Sequence, residues 1–159
     1  MNDKLLGIYL NDHRAGAEAG GELARRALAN NRGTSYAPFL EELARGIEED
    51  TAALEALMET LGIAQDPIKK KVAWVAEKVG RLKLNGQITG YSPLSRVLEL
   101  EGLKLGVTGK LSLWQAMKEL ADHDPRLAVQ DFDELIRRAE SQIEGLEQHR
   151  VTAAAEALT

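Results

Sequence analysis

Apolar residues recur along most of this chain at alternating steps of three and four, the spacing that lays one stripe along the side of an α-helix. From Asp3 to Asn30 the stripe is Leu6, Leu10, His13, Ala17, Gly20, Ala24 and Ala27, and most of its members are small. From about Ser35 to Leu61 it is Leu40, Leu43, Ile47, Asp50, Leu54, Leu57 and Leu61. Asn30, Asn31, Arg32 and Gly33 separate the two, and so short a connection predicts antiparallel neighbours.

Asp66-Pro67 is a helix cap followed by the residue best suited to the first helical position, so a third, shorter helix is predicted from there to about Asn85-Gly86. Ser92-Pro93 repeats the signal for a fourth, reaching about Asp122. Leu94, Val97, Leu98, Leu100, Leu103, Leu105, Val107, Leu111 and Leu113 occupy nearly every face of it, which predicts cover on several sides. Gly102, Gly106 and Gly109 inside it cost about 1 kcal/mol each relative to alanine, an expense that predicts close approach of a neighbouring backbone. Asp124-Pro125 turns the chain, and Asp131 with Glu134 forms a capping box for a last helix carrying Phe132, Ile136, Ala139, Ile143, Leu146, Arg150, Ala153 and Ala157.

Two long antiparallel helices, a crossover, then two more define an all-α four-helix bundle with an additional short crossover helix, in one domain spanning residues 1–159. In this helix order the chain resembles the ferritin-like superfamily. Di-iron members of that superfamily carry Glu-x-x-His on two of their helices, and no such segment occurs here, so the resemblance implies a fold and assigns no metal ligand.

Composition narrows the function. With 159 residues and 44% hydrophobic content the chain can bury its own core. There is no cysteine, so metal ligands could come only from His, Asp and Glu, and the absence fits a reducing, cytoplasmic setting. No apolar run approaches the roughly 20 residues that span a bilayer. A net charge of -5 and 4% aromatic residues disfavour nucleic acid as a specific partner.

Three polar features stand out. His13 and Asp50 both fall on apolar stripes, and a hairpin turning near Gly33 makes facing residue numbers sum to about 65, which puts the two within about one helical turn. They are expected to pair, fixing helix register. Glu101, on the stripe Leu94, Leu98, Glu101 and Leu105, faces His149 when the turn near Pro125 makes facing numbers sum to about 250. A crossover running from one end of the bundle to the other keeps these as two separate dyads. One that folds back would gather His13, Asp50, Glu101 and His149 into a divalent-metal site. The third feature is the basic crossover segment, where six bases against two acids between Asp66 and Gly86 give +4 in an otherwise acidic chain. There Lys70, Trp74, Lys78 and Arg81 lie opposite the stripe Ile68, Val72, Val75, Val79 and Leu82, a pattern that suits an anionic surface or a protein partner.

No nucleophile motif and no phosphate-binding glycine loop is present. The leading expectation is therefore a non-enzymatic, cofactor-free bundle with a structural or interaction role, self-associating or bound to a protein partner. A metal-binding or oxidoreductase bundle is the alternative, and a peripheral binder of anionic surfaces through the crossover is a further one.

Overall fold

The computed structural model describes residues 2–66 and 91–159. Four long α-helices make up most of them: α1 (Asp3–Asn30), α2 (Ala37–Thr60), α3 (Pro93–Ala121) and α4 (Phe132–Leu158), with a 3-10 turn at Pro125–Val129 between the last two. Among the described residues there is no strand, and no helix is long and apolar enough to cross a membrane. The predicted crossover helix, with Lys70, Trp74, Lys78 and Arg81, lies outside the described residues.

The helix ends follow from local chemistry. The side chains of Asn2, Ser92 and Asp131 each accept a hydrogen bond from the backbone N–H three residues on, which satisfies one of the four donors a helix start leaves open. Pro93 follows its cap directly. Gly33 and Gly62, at φ 80° and 68°, supply the left-handed turns that stop the first two helices.

Ion pairs between helices fix their directions. Arg14–Glu55 and Arg25–Glu48 run α1 against α2, Arg26–Glu99 with the Asn31–Tyr91 and Leu23–Gly102 approaches on either side of it runs α1 against α3, and Lys104–Glu147 and Lys118–Asp133 run α3 against α4. It follows that α2 and α3 are parallel. The ring order is α1, α2, α4, α3, with α2 and α3 on one diagonal and α1 and α4 on the other.

The chain leaves at Asp66, whose N–H donates to Asn11 Oδ1 at 2.8 Å and whose carbonyl accepts from Arg14. It returns at Tyr91, whose hydroxyl accepts from Asn31 Nδ2 and donates to Glu99, both at 2.9 Å. Asn11 and Asn31 are about 30 Å apart along α1. The third long helix therefore starts at the end of the bundle opposite to where α2 stops, as a full-length crossover requires.

Two apolar clusters fill the interior. One gathers Leu23, Ala24, Leu40, Leu43, Val97, Leu100 and Leu146 toward the α1–α2 loop, and the other gathers Leu10, Leu54, Leu57, Met58, Trp114, Met117 and Leu127 toward the opposite end. Every member of the α2 stripe predicted from sequence is buried, Asp50 included. In α3 the buried face is Leu100, Leu103, Val107, Leu113, Trp114 and Met117. Leu105 is 75% exposed, so this helix is covered on fewer sides than its leucine content predicts.

Candidate functional site

A buried charge cluster lies on the α2–α3 diagonal, between the two apolar clusters. The α2 stripe carries Asp50 inward until only 2% of its side chain is exposed. On α3 the inward face steps by four and three through Leu103, Val107, Lys110, Trp114 and Met117, and this places the Lys110 ammonium against the Asp50 carboxylate. From α4, Gln142 Oε1 accepts from Lys110 Nζ at 2.5 Å, while Arg138 approaches the other Asp50 oxygen at 3.3 Å and donates to Glu49 at 2.7 Å. Burial lowers the Lys110 pKa from its ordinary value, and the Asp50 charge opposes that shift. The Asp50 Oδ1 to Arg138 Nε contact is an ion pair by distance but misses hydrogen-bond alignment, so both atoms count as unsatisfied.

Beside the cluster a cavity of about 470 Å³ opens between α1, α2 and α3. Tyr9, His13, Gly16 and Gly20 line it from α1, and Ile47, Asp50 and Leu54 from α2. Gly102, Gly106, Gly109, Lys110 and Trp114 line it from α3. The glycines thus act differently from the close-packing role their pattern predicts. Of the glycines lining the cavity only Gly102 is pressed, since a Cβ there would sit 3.1 Å from Leu23 Cδ2. At Gly16, Gly20, Gly106 and Gly109 a Cβ would meet nothing within 4 Å, so these positions, of which Gly16 and Gly106 are exposed, leave open space along the cavity lining. Trp114 is 1% exposed, and its indole Nε1 has no hydrogen-bond partner among the described residues.

His13 is not paired with Asp50. The ion pairs between α1 and α2 join residues whose numbers sum to 69 and 73 rather than 65, because the loop adds length to the turn and shifts the register by a helical turn or more. His13 instead meets the Tyr9 ring edge-on, with centroids 4.6 Å apart, at the edge of the cavity that Asp50 also lines. Burial lowers its pKa below 6.5, and the Asp12 carboxylate opposes the shift.

Glu101 and His149 are not paired either. The sum of about 250 was close, since Lys118–Asp133 and Lys104–Glu147 both give 251, but that register sets Glu101 opposite Arg150, at 3.6 Å. His149 Nδ1–H donates to the Gly145 carbonyl at 2.8 Å, and its ring stacks on Phe39 at 4.0 Å with an interplanar angle of 11°. Among the described residues no three His, Asp or Glu side chains gather as a metal would need, so His13, Asp50, Glu101 and His149 do not form a common site.

Sequence reading missed Lys110, Arg138 and Gln142. The signal for Lys110 was present in its regular spacing with Val107 and Trp114. The even spread of leucine around α3 concealed which face turned inward.

No protein-family model matches the chain, and neither a curated protein nor a solved structure matches it.

Proposed function

We propose that this chain is a non-enzymatic bundle of ferritin-like connectivity that works by binding, receiving an apolar group in the cavity between α1, α2 and α3. The observation that carries this reading is the set of open glycine positions, Gly16, Gly20, Gly106 and Gly109, on the two facing helices. Glycine inside a helix costs about 1 kcal/mol relative to alanine, and here no close packing offsets that cost. A volume of about 470 Å³ lies within the roughly 300 to 1,000 Å³ of small-molecule sites.

The parallel course of α2 and α3 supports the ferritin-like connectivity. The buried centre argues for binding over metal chemistry. Among the described residues its one fully buried carboxylate, Asp50, already faces the two cationic side chains Lys110 and Arg138, which repel a further cation.

Titration with the neutral fluorophore N-phenyl-1-naphthylamine tests the reading. Saturable enhancement near one probe per chain is expected, falling at least tenfold in affinity in Gly106→Leu and Gly16→Leu variants that keep the far-ultraviolet circular dichroism of the parent. Absence of binding, or equal binding by the filled variants, overturns it.

A further inference from the structure

We infer that the cavity takes a small monocarboxylic acid with an apolar body, its carboxylate accepting hydrogen bonds from Lys110 Nζ and Trp114 Nε1. The inference rests on the binding role proposed above and specifies the ligand.

Among the described residues, two donors on one face of α3 are unfilled. An ammonium has three N–H bonds, and Asp50 and Gln142 take two of those on Lys110. Trp114 follows four residues later, one turn along the same face, with a buried indole N–H that has no partner among the described residues. A donor hidden in this way costs free energy until an acceptor reaches it. A carboxylate, with two oxygens and about four acceptor positions, can serve both groups, whereas a hydroxyl serves one well.

Charge points the same way. Among the described residues Asp50 is the one buried carboxylate facing Lys110 and Arg138, and the other acid near Arg138, Glu49, is half exposed at the surface. Within this cluster two partly buried cationic side chains therefore face one fully buried carboxylate, and an anionic head would offset the remainder. Burial disfavours the charged form of Lys110 despite the opposing charge of Asp50. Asp12 also lines the cavity, but it is exposed, so water weakens its repulsion of an acid. Leu54, Leu103 and Leu113 give the remaining walls their apolar surface, beside Tyr9, His13 and Thr51.

The test uses the full chain carrying Trp74→Phe, which leaves Trp114 as the only tryptophan. Decanoate, decanol and decylamine are titrated at constant ionic strength, with Trp114 fluorescence and calorimetry as readouts. Decanoate should bind at least tenfold tighter than decanol and decylamine weakest, with the Trp114 emission shifted by the acid. Lys110→Met should bring the affinity for decanoate down to that for decanol while decanol still binds. Should that variant not fold, Trp114→Phe read by calorimetry should lower the preference for the acid at least threefold. Equal binding of acid and alcohol by the parent overturns the carboxylate assignment and leaves the apolar cavity standing. No binding of any of the three overturns the cavity reading as well.

Discussion

The Asp50 carboxylate of α2 accepts a hydrogen bond from the Lys110 ammonium of α3 across the diagonal of the bundle, joining two helices whose backbones are not neighbours. Removing one member of such a pair strands the other in a medium that solvates charge poorly. Asp50→Ala should therefore lower stability by about 3 to 5 kcal/mol in urea denaturation, the usual cost of breaking a buried pair from one side. Asp50→Ala combined with Lys110→Met should be less damaging than Asp50→Ala alone. A double mutant as unstable as the sum of its singles would show that the two charges are not coupled.

The four open glycines and the pressed ones should respond to alanine in opposite directions. At Gly106 the added methyl meets nothing, so Gly106→Ala should stabilise by about 0.5 to 1 kcal/mol through helix propensity. At Gly145 the methyl would sit 2.5 Å from Phe39 Cε2, in the ring that stacks on His149. Gly145→Ala should cost about 1 to 3 kcal/mol as the stack is forced aside. Thermal midpoints moving the same way in both variants would contradict the packing described.

His13 gives a pH signature. Because burial holds its folded pKa below the ordinary 6.5, the unfolded chain binds the proton more readily, and between the two values stability falls as pH is lowered. The contribution is intact above pH 6.5 and is lost as pH falls through the folded pKa. Subtracting the pH profile of His13→Gln from that of the parent isolates the effect from the carboxylates. An NMR titration of His13 with a midpoint above 6.5 would refute the assigned direction.

Asn31 secures the point where the chain re-enters the bundle. Fully buried, it donates to Tyr91 and to the Ala27 carbonyl and accepts from Arg96 Nε at 2.6 Å. Asn31→Leu leaves Arg96 and Tyr91 without that partner, and a loss of about 1 to 3 kcal/mol is expected from chemical denaturation. Hydrogen exchange should quicken in the first turn of α3 well before it does so near Trp114. Uniform quickening along α3 would mean that Asn31 stabilises the whole bundle rather than this junction.

The fold was legible because it depends on period and punctuation. Ser92-Pro93 and the Asp131 to Glu134 box set helix starts that the structure reproduces, and the α2 stripe from Leu40 to Leu61 is buried throughout. The site was less legible because side-chain partners depend on register, and register depends on how much length a loop adds. For α3 and α4 the facing sum was off by one, enough to replace His149 by Arg150 opposite Glu101. For α1 and α2 it was off by a turn or more, enough to part His13 from Asp50. The glycines of α3 were read through their cost alone, which does not distinguish a neighbour's close approach from an opening left between helices.

The central charges also bear on how two halves of one chain recognise each other. The α1–α2 hairpin brings a carboxylate to the interior, and the α3–α4 hairpin brings Lys110 and Arg138. Two copies of either hairpin, docked face to face, would bury like charges together, whereas one of each sets the carboxylate against the cations. The pairing of Asp50 with Lys110 thus acts as a key between halves: it favours assembly of unlike hairpins and penalises dimers built from a single repeated half.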